Sequence, residues 1–323
     1  MLEIIIDNRN GNLWDISGIS SDASYKTSRV GKASSFEFTI ATGGLNEDKS
    51  FKLGNGDVIR VTKDGFPLFY GYIFSLDSGR DEAVKVTAYD QIRYLMGNGG
   101  YKFSLGTAGD YIRRIAAEKG LQIGFLADTG HKIPPTIEDG TKLLDMICNA
   151  ISKTLMETKR IYIFYDDFGR LMLRDMADWK LNLLIGDSSL VYDYKLKRSI
   201  DSETYNRIRL AQGKLDEGKR GIYIVQDSAT IAQWGQLEYY QKIDDKMNLA
   251  QINQSLDNLL ELKNRESRSF NIEALGDLTV RAGCSICINI QAKAINSYFL
   301  VEECTHKFDG LDHTMSLELR VYG

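Results

Sequence analysis

Proline is nearly missing from this 323-residue chain: 3 residues, against 29 glycines. That excludes a Pro-rich spacer, so successive domains are expected to touch directly. Cysteine is scarce as well, at 4 residues, too few for a disulfide scaffold and in keeping with a reducing compartment. No run of about 18 apolar residues occurs, so no membrane-spanning helix is expected. The opening MLEIIIDNRN lacks a basic segment followed by a long apolar one, and no signal peptide is read there. An excess of positive charge is also lacking. Lys and Arg number 40 against 44 Asp and Glu, a net charge of −4, which makes no electrostatic case for a dedicated nucleic-acid site.

What is present is alternation. The length exceeds what one hydrophobic core covers, so two or three domains are expected. Two β-rich blocks stand near the two ends, at 57–95 and 283–321. Phe36, Phe38 and Ile40 alternate with Glu37 and Thr39, and Val84, Val86 and Ala88 with Lys85 and Thr87. This period of two gives each strand one core face and one outer face. Asp64-Gly65 and Asp309-Gly310 separate strand-like runs and read as hairpin turns. Between the blocks the period changes. Ala108, Tyr111, Ile112, Ile115 and Ala116 have helical spacing over 107–119, with Thr107 and Asp110 placed for a capping box and Gly120 for the stop. A second helix is read over 141–158, a short one from Ser228 to Trp234, and a longer one over 246–265 with Leu249, Ile252, Leu256, Leu259 and Leu260 on one side. The predicted class is α+β, mainly β. The predicted division is a β-barrel-like domain at 1–96, a small α/β domain at 97–195, and a second β-barrel-like domain at 196–323 with a helical insertion at about 228–266.

The fragments that imitate chemical motifs fail on spacing or on ligand count. Gly31-Lys32-Ala33-Ser34 lacks the Ser or Thr directly after Lys, and Lys26 stands where a phosphate loop needs its first Gly. Asp167-Phe168-Gly169 has the letters of a kinase metal-binding motif without the accompanying Gly-rich loop, strand Lys or catalytic-loop Asp, and reads as a tight turn. Cys284 and Cys287 are half a zinc site without a second pair, and on a strand they point to opposite faces. His306 and His313 bracket a turn at 308–312, with no nucleophile in a strained elbow nearby. Glu302/Glu303 are adjacent on a strand and face opposite ways, a poor glycosidase pair. The basic clusters at 195–198 and 214–220 are interleaved with acids and read as solvated turns. No catalytic, cofactor or metal residue is assigned. Two surface features remain. The polar segment 42–56 contains Leu45, Phe51 and Leu53, which suits packing on a neighbouring subunit or a tube. Tyr70, Tyr72 and Phe74 form an aromatic row that is either an interface or simply core.

Several ordered patterns carry a family resemblance. RVGKASSFEFTI, GDVIRVTKDGFPLFYGYIFSLD, VKVTAYDQIRYL and GTAGDYIRRIAAEKGL in the first half, then YNRIRL, DSATIAQWGQLEYYQKID, VRAGCSICINI and YFLVEECTHKFDGLDHTMSLELRV, resemble the baseplate hub proteins of contractile phage tails. The chain is similar to the XkdQ/YqbQ-type hub of defective prophages and phage-tail-like bacteriocins, within the late-control-D group. The resemblance spans essentially the whole chain. It departs at Cys284, where the family's turn more usually carries an acidic residue. It implies two tail-tube-like barrel domains per subunit and a homotrimer that offers six such domains to a hexameric tail tube on one side and a trimeric spike on the other. Implied partners are the tail tube protein and the central spike, with the tape-measure and peptidoglycan-binding-domain tail proteins as further candidates. It also implies synthesis in the bacterial cytoplasm and assembly into a tail particle. The rival readings are a tail-associated cell-wall hydrolase and a carbohydrate-binding β-protein.

Overall fold

In a computed structural model the chain is described over residues 1–42, 50–80, 83–186, 191–201, 203–213, 220–291 and 295–321. It is mainly β. The first block contains β1 (Leu2–Asp7), β2 (Leu13–Asp15), β3 (Ser20–Ser28), β4 (Ser35–Ala41), β5 (Val58–Lys63), β6 (Phe66–Ser78) and β7 (Ala83–Tyr89). The middle contains β8 (Asn98–Phe103), α1 (Ala108–Lys119), β9 (Ile123–Leu126), β10 (Thr136–Lys142), α2 (Leu143–Thr158), β11 (Tyr162–Asp166) and β12 (Leu171–Asp175). There follow β13 (Lys180–Gly186), β14 (Val191–Ser199), β15 (Arg207–Gln212), β16 (Gly221–Gln226), α3 (Ser228–Trp234), β17 (Glu238–Lys242) and α4 (Leu249–Lys263). The last strands are β18 (Ser267–Leu275), β19 (Ser285–Ile290), β20 (Ile295–Asp309) and β21 (Asp312–Arg320).

Local chemistry fixes the turns. Asp64 and Gly65, between β5 and β6, sit at φ 50° and 80°, the two positive values a two-residue turn needs to match strand twist. Thr107 and Asp110 form a reciprocal capping box on α1, and Gly120 ends the helix in the left-handed region. Asn248 and Gln251 form a second box on α4. The α3 cap is Asp227, one residue before the Ser228 expected from sequence, because the Asp227 carboxylate accepts from the N–H groups of Ala229 and Thr230. Asp167-Phe168-Gly169 forms the β11–β12 turn, with Phe168 and Gly169 both at positive φ.

Thirteen strands form one hydrogen-bonded sheet. Its path runs β14-β18-β21-β20-β3-β4-β7-β6-β5-β1-β2, with β19 and β13 branching from β20. The path is open at both ends, so the described strands close no hydrogen-bonded ring. The two β blocks predicted from sequence are thus edge-joined. β20 is the joint: its first half pairs with β19, from Ile295↔Ile290 to Leu300↔Ser285, and its second half pairs with β3, from Glu303↔Ser28 to Phe308↔Ala23. The register along its other edge, against β21, shifts between Val301 and Glu303, where β20 changes partner. β13 lies within 97–195 and β14 crosses the boundary expected at 195, yet they pair with β19 and β18, so both belong to the C-terminal sheet. Within 196–323, β16-β15-β17 form a separate small sheet whose inner face, Ile208 and Leu210, packs on Ile252, Leu256 and Leu259 of α4. This unit begins before residue 228.

Each part has a core. Ile4, Phe36, Phe38, Ile59, Phe69 and Ile73 fill the first block, joined by Phe308 from β20. Ile112, Ile115, Leu144, Ile147, Leu171 and Leu173 fill the middle. Phe270, Ile286, Ile288, Val301 and Leu317 fill the C-terminal block, together with Ile163, Tyr165 and Trp179 of the middle. Burial of a side chain of this size contributes about 1.5–3 kcal/mol each, so the shared residues Phe308, Ile163 and Tyr165 hold neighbouring parts against one another.

Candidate functional site: the joint and the aromatic face

The joint on β20 has a charged outer rim and a buried polar centre. On the rim, Arg29 Nε lies 2.7 Å from Glu302 Oε2. Glu303 accepts from Lys26 at 2.8 Å, Lys32 at 2.9 Å and Ser28 at 3.1 Å. Partial burial pushes the Glu303 carboxyl upward, but these hydrogen bonds outweigh it and hold the group down at about 2. The rim pairs therefore connect the β3–β4 turn to the C-terminal strand across some 270 residues of sequence.

Beneath the rim, three parts of the chain meet. Arg281 is half-buried with its guanidinium 4.5 Å from the Tyr165 ring, donates to the Asp166 carbonyl oxygen at 2.8 Å, and lies 3.8 Å from the Asp167 carboxylate. The Asp166 carboxylate accepts from the Gly169 N–H at 2.8 Å and from Gln91 Nε2 at 2.7 Å. Asp90 accepts from the N–H groups of Ser34 and Ile92. Burial raises the pKa of both carboxyls, and for Asp166 the neighbouring Asp90 adds to the rise. Thr27 Oγ1 accepts from the Ala282 N–H at 2.9 Å. Gly283 sits at φ 99°, and a Cβ there would meet the Ile163 side chain at 2.5 Å, so glycine is required for this turn to reach the hairpin.

Beside this centre lies a histidine pair. His306 approaches the Val280 carbonyl oxygen at 2.8 Å and Cys304 Sγ at 3.2 Å through Nε2, and His313 at 2.9 Å through Nδ1. Burial pushes His306 down to about 4, so it is neutral at physiological pH. Sequence placed these histidines only at the ends of a turn. Their contact follows from the β20–β21 register, which sets Phe308 opposite His313. Cys284 is buried and Cys287 half-buried. Among the described residues no group of three or more His, Cys, Asp or Glu is arranged to hold a metal ion. Through these hydrogen bonds Asp90 and Asp166 tie three segments of the chain together.

The aromatic row lies on the outer face of β6. Phe69 and Ile73 point inward and are buried, while Tyr70, Tyr72 and Phe74 are half-buried. Gly71 allows the close approach to β7, since a Cβ would collide with the Tyr89 carbonyl oxygen and the Phe69 ring. Tyr70 meets Phe168 of the β11–β12 turn at 5.8 Å, Tyr72 meets Tyr94 at 5.2 Å, and Phe74 meets Tyr89 at 5.7 Å. Arg60, Arg9 and Arg93 lie over Tyr70, Tyr72 and Phe74 at 5.8, 5.2 and 5.2 Å. The row is thus a ladder of rings capped by cations, each such contact contributing about 0.5–1 kcal/mol at an exposed site. Of the 42–56 segment, Leu45 lies outside the described residues. Phe51 packs on Trp14 at 5.3 Å, and Phe51 and Leu53 both cover the first block's own core.

A model of the YqbQ-like family matches residues 23–320. The chain belongs to the YqbQ-like family. Phage-like element PBSX protein XkdQ of Bacillus subtilis (strain 168) is 29% identical over 304 residues, covering 93% of this chain and 92% of XkdQ. The fold is also that of the 43 kDa tail protein of prophage MuSo2 from Shewanella oneidensis, with a TM-score of 0.73 at 11% identity over 98% of both chains. A further likeness is to the E. coli c3393 protein, a type VI secretion component described as structurally similar to the T4 tail proteins gp27 and gp5. Its TM-score is 0.57 at 11% identity, over all of this chain and 77% of that one. The family match includes β3 and β20 alike, so both partners of the joint fall within it.

Proposed function

We propose that this YqbQ-like chain is a structural baseplate hub of a contractile tail or tailocin. It acts as a symmetry adapter that joins a hexameric tail tube to a trimeric central spike. The observation that carries this reading is the joint at β20, which makes two strand blocks edges of one sheet and locks them with Arg281, Asp166 and Asp90. An adapter needs two similar surfaces held at a fixed relation, and a shared strand with a buried polar tie supplies that. In this reading the blocks around β3–β7 and β18–β21 are tube-like, barrel-like domains. The chain is made in the bacterial cytoplasm, assembles as a homotrimer, and presents Phe51, Leu53, Tyr70, Tyr72 and Phe74 near subunit or tube contacts. The relationship to XkdQ of a phage-like element supports the tail setting, and the likeness of fold to c3393 supports the hub position.

Co-expression with tail tube and spike proteins from the same tail particle tests this reading. Light scattering of the purified mixture should give a complex with three hub chains per spike trimer. A hub chain that binds neither protein, and that instead hydrolyses purified cell wall, would overturn it.

A further inference from the structure

The β20–β21 hairpin ends in Asp309-Gly310-Leu311-Asp312, and Leu311 is 93% exposed. Asp309 and Asp312 stand directly opposite each other at the end of the ladder. Like charges in that position repel, and among the described residues neither carboxylate makes an ion pair. The tip is therefore a bare leucine between two unneutralised acids.

A complementary cleft lies at the far end of the same strands. It is lined by Lys26, Lys32, Arg93 and Lys142, with Ala33, Met96 and Tyr89 supplying apolar surface. Lys26 and Lys32 already hold a carboxylate, that of Glu303. Among the described residues Arg93 and Lys142 have no carboxylate partner, Arg93 lying only against the Phe74 and Tyr89 rings. The tip projects beyond the Phe308↔Ala23 pair, whereas the cleft begins at Lys26 and reaches Ser28 and Ser35. Ala23 and Ser28 are roughly 17 Å apart along β3, so a chain cannot seat its own tip in its own cleft.

We propose that the Asp309–Asp312 tip of one copy docks in the Lys26/Lys32/Arg93/Lys142 cleft of a second copy. Leu311 rests on Met96 and Ala33, and the two aspartates face Arg93 and Lys142. Because the two surfaces differ, the contact is head-to-tail, the type that closes rings. It deepens the homotrimeric hub reading, and closure at three rests on that reading.

The test is a full-length chain carrying Leu311→Cys and Met96→Cys, with Cys287→Ser to remove a half-buried native thiol. It is oxidised both as purified protein at high concentration and in assembled particles. Intermolecular cross-links that end at a closed trimer are expected, well above those of a chain carrying only one of the two introduced cysteines. Adding Arg93→Glu and Lys142→Glu should cut the yield roughly tenfold, and adding Asp309→Lys and Asp312→Lys to that chain should restore it. Cross-linking no greater than in the single variants, in both settings, overturns the contact. A three-fold hub without these cross-links would keep the hub and discard the contact. A ladder that closes at two or runs past three would keep the contact and contradict the trimer.

Discussion

Arg281 lies half-buried beneath the joint with Tyr165 over its guanidinium and the Asp166 carbonyl oxygen as acceptor. Replacing it by Ala removes the donor to the Asp166 carbonyl oxygen and the cation beside the Tyr165 ring. A loss of about 1–3 kcal/mol in urea unfolding is expected, measured beside an exposed control such as Arg113→Ala. The neighbouring titratable groups give stability two opposite slopes. His306 has its pKa lowered to about 4 from 6.5 by burial, facing Val280, His313, Asp277, Arg281, Cys304 and Tyr25. Its contribution, roughly 3 kcal/mol, is complete above pH 6.5 and is lost as pH falls through 4. Asp166 has its pKa raised by burial and by Asp90 from 3.8 to about 8. Its contribution is complete below pH 3.8 and is lost as pH rises through 8. Between about pH 4 and 6.5 these two slopes nearly cancel, and from pH 6.5 to 8 the denaturant midpoint should fall because only the Asp166 loss remains. Asp166→Asn should be close to wild type below pH 3.8 and increasingly more stable than wild type as pH rises from there to 8. A midpoint for Asp166→Asn that tracks wild type through that range would refute the raised pKa.

At the scale of elements, β20 does most to define the molecule. Phe308 belongs to the C-terminal strand yet fills the first block's core, so Phe308→Ala should cost about 3–5 kcal/mol and loosen the joint. Hydrogen exchange should then show lost protection on β3 as well as on β20 and β21, whereas loss confined to β20 and β21 would argue against a shared joint. The local devices were legible in sequence because their partners are neighbours: Asp64-Gly65, Asp309-Gly310, the Thr107–Asp110 box and Gly120. The Asn248–Gln251 box is a device of the same local kind. The pairing of Glu303 with Ser28 was not legible, since no periodicity marks which distant strand becomes an edge partner. The short strands β2, β8, β9 and β17 carry too little alternation to stand out, and β13 and β14 were placed with the middle for the same reason of distance. The contact of Tyr70 with Phe168 needed the fold, since the row reads equally well as core or as surface.

For the whole molecule, sequence gave the class and the order of β, α/β and β segments, while the single open sheet came only from structure. The overall resemblance was legible because many moderate patterns occur in one order along the chain, which a family match over 23–320 bears out. The central claim is that three copies of this chain sit between tube and spike. A single-particle reconstruction of the assembled tail, refined without imposed symmetry at the baseplate, measures this directly. The account predicts three chains related by a three-fold axis, with six strand blocks facing the tube. A hub of two or six chains at that position would contradict it.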